Sequence, residues 1–262
     1  MKALIKLGGA LLDSANSREA LAGQIAAAGA RGGRLVVVHG GGRRMTRYLA
    51  EHGIESRFVD GLRVTGPETV DAVLQVFAGS VNHELVASLN RAGAMAVGLT
   101  GIDALLVEAA QMDPALGAVG RVTTVNAGLL HLLAEHGYLP VVACVAGDRQ
   151  GGIYNVNADH MAAACAVAFG AQQLLFLTDV AGVLDAGKQV RSVVTAAEVA
   201  QLIAGGNATG GMQTKLNAAL AALAGGVGQV RIAPGSSADV IERILAGEDI
   251  GTRVVAGEVP AL

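Results

Sequence analysis

The chain has 262 residues, and its 19 Lys+Arg against 22 Asp+Glu give a formal net charge of −3. With a pI near 6.1, that balance excludes nucleic-acid binding through a general basic field, and no nucleic-acid partner is expected. Hydrophobic residues at 52% against 16% charged exclude a disordered chain. Despite a mean hydropathy of +0.48, the longest apolar stretch, Met161 to Ala171, is well short of the roughly 20 residues that a spanning helix needs. The opening run meets Asp13 with no signal-peptide pattern, so no membrane partner is expected and the chain reads as cytoplasmic. Cys144 and Cys165 sit in apolar runs and read as buried free thiols.

In chain order, the pattern predicts a strand near residues 3–7, a helix near 17–28, a strand near 35–39 and a helix near 43–52. A short hairpin around Asp60-Gly61 follows, then one long helix from Pro67 to about Arg91, started by a proline suited to a first helical turn. A strand near 96–99, a second hairpin across 105–125, a helix near 127–136 and a single strand over 139–145 come next. The remainder reads as a helix at 158–169, a strand at 173–178, helices near 196–203 and 212–224, a strand near 230–233 and a helix near 238–246. Nearly continuous apolar strands alternating with helices predict an α/β fold, a three-layer αβα sandwich with an open, mostly parallel central sheet. The restart of strands at Gln173 suggests two lobes, 1–170 and 171–262.

The placement of the 37 glycines, about twice the average usage, carries the functional signal. Lys6-Leu7-Gly8-Gly9 and His39-Gly40-Gly41-Gly42 end the first two predicted strands, where open α/β sheets bind ligands. Glycines there let backbone N–H groups point at an anion, and a following helix adds its positive end. Lys6 interrupts an apolar strand; a phosphate-facing lysine and an edge lysine that deters aggregation both account for it. Lys215 lies about one turn into a helix opened by Gly210-Gly211, an end whose dipole repels a merely structural cation. In Asn155-Val156-Asn157-Ala158-Asp159, helix capping accounts for one polar residue but not for all three.

Other patterns fail on inspection. Gly182 to Gln189 imitates a P-loop but places Gln189 where magnesium needs a hydroxyl. His83-Glu84 begins a zinc-protease string that Ala87 breaks, no dinucleotide G-x-G-x-x-G is present, and the six histidines form no metal-ligand cluster.

Taken together, the blocks Lys6–Gly9, His39–Gly42, Asp60–Thr65, Val97–Gly101, Asn155–Asp159, Thr178–Val183, Gly211–Lys215 and Gly251-Thr252 resemble the amino acid kinase family, in the family's order and nearly end to end. Within it the chain is similar to the branch acting on N-acetyl-L-glutamate. The resemblance implies ATP as co-substrate with Mg²⁺, and phosphorylation of the substrate's γ-carboxylate in arginine biosynthesis. It implies that Lys6 and Lys215 neutralise the phosphoryl group in transit while Asp159 positions both. It gives Gly9, Gly41 and Gly42 a backbone role toward phosphoryl or substrate oxygens, and gives Arg63 and Asn155 the substrate's α-carboxylate. Asp179, Val180, Ala181, Gly182, Val183 and Leu184, with Asn207, Ala208, Thr209 and Gly211, would contact ATP. A chain whose first strand starts so early, without the N-terminal helix of arginine-inhibited hexameric relatives, is expected to be an arginine-insensitive homodimer. Kinases for carrier-protein-bound aminoadipate or N-succinylglutamate stay open as alternatives, as does a catalytically silent regulator of the same fold.

Overall fold

The computed structural model describes residues 1–185 and 187–257; position 186 and the end of the expected second lobe, 258–262, lie outside them. Lys2–Leu7 forms a strand whose Ala3, Leu4, Ile5 and Leu7 are fully buried, as a strand covered on both faces requires. It lies inside an eight-stranded sheet ordered Val193–Thr195, Thr252–Val255, Gln229–Pro234, Gln173–Thr178, Lys2–Leu7, Arg34–His39, Leu139–Ala143, Ala96–Thr100. Neighbours are parallel except Gln229–Pro234 against Thr252–Val255. Helices flank the sheet: Ala158–Phe169 packs on the first strand and beside Gly210–Ala224, and Ala15–Ala30 packs on Asn82–Arg91. This is the expected α/β architecture, and the sheet runs unbroken across residue 170. Among the described residues no helix is long and apolar enough to cross a membrane.

The structure departs from the expected elements in several places, among them the unexpected helix Gly9–Leu12 and strand Ile153–Val156. The run 139–145 is two strands: Leu139–Ala143 belongs to the main sheet, and Val145–Gly147 joins Val107–Gln111, Val119–Val125 and Ile153–Val156 in a small closed barrel. Leu139, Val141, Val142, Ala143, Cys144 and Val145 are all buried, so the apolar run gives no sign of the switch. The short strands Val193–Thr195 and Thr252–Val255 carry too few residues to show a period. The long helix divides into Pro67–Val73, a π-helical segment Leu74–Val81 and Asn82–Arg91. The wider turn seats Phe77 and Val81 against Gly41, where a Cβ would lie 3.0 Å from the Phe77 ring and 3.3 Å from Val81.

Gly101 joins the edge of the main sheet to the barrel: its N–H donates to Val145 at 2.6 Å, and its carbonyl accepts from Val107 at 2.8 Å. A Cβ there would lie 2.7 Å from both the Val145 carbonyl oxygen and Val107 Cβ. Gly101→Ala is therefore expected to lower stability by about 1–3 kcal/mol, read as a fall in Tm; an unchanged Tm would show slack in this joint.

Candidate active site

Gln173–Thr178, Lys2–Leu7 and Arg34–His39 are adjacent parallel strands, so their carboxyl ends open side by side. Asp179, Gly8-Gly9 and Gly40–Gly42 follow them. The Gly8 N–H donates to the Leu177 carbonyl at 2.9 Å. The two glycine loops touch: a Cβ on Gly9 would lie 2.9 Å from Gly42 N and 3.1 Å from Gly41 Cα. Glycine is needed here because backbone already fills the space a side chain would take.

Below these loops lies a buried charge cluster drawn from three elements. Asn157 caps the helix Ala158–Phe169, its side-chain oxygen accepting from the N–H groups of Asp159 at 2.9 Å and His160 at 3.2 Å. That cap orients Asp159 in the first turn, so of the three polar residues Asn157 is the one used for capping. Lys215 projects from the helix Gly210–Ala224, and its side chain leans toward the helix N-terminus. Lys6 Nζ is 2.8 Å from Asp159 Oδ1, and Lys215 Nζ is 3.0 Å from both carboxylate oxygens. All three residues are at most 7% exposed. The sequence-predicted catalytic trio is thus a single buried cluster with one positive charge in excess. Burial alone would raise the Asp159 pKa, but the two ammonium groups overcome it and hold the carboxyl at about 2. Burial, reinforced by Lys6, pulls Lys215 down to about 8 against the attraction of Asp159.

A cavity of about 200 Å³ opens beside the cluster, lined by Lys6, Gly41, Gly42, Arg63, Asn155 and Asp159 among others. Arg63 ends the hairpin Phe58–Val59/Leu62–Arg63, with its guanidinium carbon 4.5 Å from the Phe58 ring centroid. Its three hydrogen bonds go to Ser56 Oγ, Thr46 Oγ1 and the Gly42 carbonyl, leaving donors of its five free for a carboxylate. Burial lowers its pKa, which at an arginine leaves the charge in place. Asn155 Nδ2 donates to Thr65 Oγ1 at 3.1 Å, and that hydroxyl donates to the Arg63 carbonyl at 2.8 Å. The turn residues Asp60 and Gly61 have positive φ of 49° and 80°, and a Gly61 Cβ would sit 3.8–3.9 Å from Gly210 and Thr214. The hairpin therefore rests against the start of the Lys215 helix.

Of the residues predicted to contact ATP, Asp179, Val180, Ala181 and Leu184 are exposed beyond the strand Gln173–Thr178. Gly182, at φ 154°, is closed in by Thr252 and Val190. Asn207, Thr209 and Gly211 are exposed around the start of the Lys215 helix. Val183 and Ala208 are buried in the core, so only their backbones can face a ligand. In the P-loop-like stretch, Leu184 forms an antiparallel bridge with Val190. His83 is exposed on its helix, and Glu84 pairs with Arg44.

Sequence reasoning missed the support of the second glycine loop. His39 is fully buried, and burial pushes its pKa to about 4, so the ring is neutral. Nδ1 faces the Gly40 carbonyl at 3.0 Å and therefore carries the proton; Nε2 accepts from Asn82 Nδ2 at 3.0 Å. Asn82 also donates to the Val141 carbonyl at 2.9 Å. A lone Asn in a helix 43 residues downstream gives no sequence signal of this partnership.

The charge count yields opposite expectations for two substitutions. Asp159→Ala leaves two buried ammonium groups facing each other and is expected to cost about 3–5 kcal/mol. Lys215→Met leaves a neutral Lys6–Asp159 pair and is expected to cost much less. Equal losses in denaturant titrations would contradict the excess charge. The sign with pH follows from Asp159, whose pKa drops from 3.8 unfolded to about 2 folded. Its contribution is present above pH 3.8 and is lost as pH falls through about 2.

Residues 1–234 match the amino acid kinase family. The chain is 71% identical to the acetylglutamate kinase of Solibacter usitatus over 97% of this chain and 99% of that one. In structure it is similar to a protein of Streptococcus mutans, with a TM-score of 0.85 and 29% identity over 98% and 99% of the two chains. It also resembles an N-acetylglutamate synthase from Neisseria gonorrhoeae crystallised with coenzyme A and N-acetyl-glutamate, with a TM-score of 0.87 and 25% identity, covering 98% of this chain and 60% of that one. The paired glycine loops, the buried lysine–aspartate–lysine cluster and these likenesses agree: the chain belongs to the amino acid kinase family.

Proposed function

We infer that this chain transfers the γ-phosphoryl group of ATP to the γ-carboxylate of N-acetyl-L-glutamate, forming an acyl phosphate in arginine biosynthesis. The observation that carries the reading is the buried Lys6–Asp159–Lys215 cluster beside a cavity that holds Arg63. The nucleophile is a carboxylate, ionised at neutral pH with an ordinary pKa of about 4.3, so no general base is required. A carboxylate oxygen forms the new bond to the γ-phosphorus as the bond to the β-phosphate oxygen breaks, and ADP leaves with that electron pair. Arg63 and Asn155 hold the α-carboxylate, while the N–H groups of Gly9, Gly41 and Gly42 meet the phosphoryl and substrate oxygens. Lys6 and Lys215 offset the charge in transit, and Asp159 keeps them in place.

Asp179 to Leu184 and Asn207, Ala208, Thr209 and Gly211 form the nucleotide side. Mg²⁺ accompanies the nucleotide. Asp159 has both oxygens engaged by lysines, and no group of three or more metal-ligating side chains occurs among the described residues. That donor set suits an ion carried on the phosphates, where it would offset triphosphate charge. The division of labour follows the two lobes, 1–170 for the acylated amino acid and 171–262 for the nucleotide. We also propose a homodimer, supported by the half-exposed edge strand Ala96–Thr100. A cytoplasmic setting is in keeping with the two buried free thiols.

Hydroxylamine trapping of the acyl phosphate, with ATP and Mg²⁺, tests the reaction on N-acetyl-L-glutamate, N-succinyl-L-glutamate, glutamate and aspartate. Signal from the acetylated substrate is expected; silence with all four would overturn the reading. Lys6→Met and Lys215→Met are each expected to lower kcat by about 100-fold or more with little change in substrate KM. Because free Lys215 loses its proton near pH 8, kcat/KM for ATP should fall about tenfold per pH unit above that point. A flat alkaline profile to pH 10 would contradict a role for its charge.

A further inference from the structure

At the carboxyl ends of the central strands, Arg43 Nη2 donates to Asp179 Oδ2 at 3.0 Å. The two residues come from opposite sides of the first glycine loop. Arg43 is the second residue of the helix Gly42–Glu51, just after the loop Gly40–Gly42. Asp179 follows the strand Gln173–Thr178. The strand Lys2–Leu7, which ends in Gly8-Gly9, lies between the strands that carry them. Strands two positions apart in a sheet are about 10 Å apart, so the ion pair arches over Gly8-Gly9, the loop that ends the Lys6 strand.

Two properties of this arch decide what it does. Its side chains are 68% and 48% exposed, so the contact is weak and readily exchanged, unlike the buried cluster beneath it. An anionic carboxylate beside the glycine loop also repels an incoming triphosphate unless a cation covers it, and Arg43 covers it here. A guanidinium meets phosphate oxygens through paired N–H donors at least as well as it meets a carboxylate.

We propose that Arg43 is a third cationic phosphate-binding residue of this protein, paired with Asp179 until nucleotide arrives and then passed to the terminal phosphates of ATP. The exchange covers the γ-phosphoryl group from the solvent side, opposite Lys6 and Lys215, and frees Asp179. The proposal rests on the kinase reading above.

Calorimetric titration of the full chain with ATP, ADP, AMP and adenosine, magnesium chloride present, tests it. Arg43→Ala is expected to weaken ATP binding about 10- to 100-fold, ADP less, and AMP and adenosine not at all. Arg47→Ala, which removes an equal charge from an exposed site one turn further along the helix, is expected to leave all four unchanged. Asp179→Asn separates exchange from a simple strap. Exchange keeps or raises the preference for ATP over adenosine; a strap lowers that preference as Arg43→Ala does, and would overturn the proposal. Unaltered ATP affinity in Arg43→Ala would overturn it too and leave the kinase reading intact. Failure of the wild-type chain to bind ATP would overturn both.

Discussion

Two ammonium groups share one buried carboxylate, and the charge left over organises the rest of the molecule. A balanced pair would gain little from an arriving anion, whereas a surplus cation in a water-poor site is relieved by one. Burial first, and the neighbouring Lys6 after it, hold the Lys215 pKa below its ordinary value. The cluster carries an electrostatic cost that a phosphoryl group offsets, so part of the driving force for binding is built in during folding. Asp159 sets the size of the surplus, because without it two repelling charges would lie in the core.

Holding such a cluster requires parts of the chain far apart in sequence. Lys6 comes from the first strand, Asp159 from a capped helix and Lys215 from a helix a further 56 residues on. The parallel sheet makes this economical, since it gathers the carboxyl ends of its strands along one edge whatever their order in the chain. The glycine loops occupy that edge with backbone alone, so their share of the cavity wall consists of N–H groups and carbonyls rather than side chains.

The sequence made much of this legible because the residues that matter break local rules. A lysine inside an apolar strand and a lysine near a helix N-terminus each conflict with their surroundings, and both belong to the cluster. The second and fourth predicted strands, 35–39 and 139–145, stood out for the opposite reason, as nearly unbroken apolar runs. What stayed hidden has no local signature. The break at Cys144 falls inside a run that is buried on both sides of it, so hydropathy is constant while the partner sheet changes. The barrel depends on strand pairings between distant segments. The His39–Asn82 bond and the Arg43–Asp179 arch each join residues whose types are ordinary where they stand.

The π-helical segment Leu74–Val81 serves two neighbours at once. Phe77 in its middle and Val81 at its end press on Gly41, and just beyond it Asn82 reaches His39 and the Val141 carbonyl. One residue advances a helix by about 100°, so regular α pitch across this stretch would satisfy one set of contacts and rotate the other away. The irregular turn lets a single helix grip a glycine loop and its histidine together. Insertions and deletions tolerated elsewhere on such a helix would here be transmitted straight to the geometry of the phosphate site.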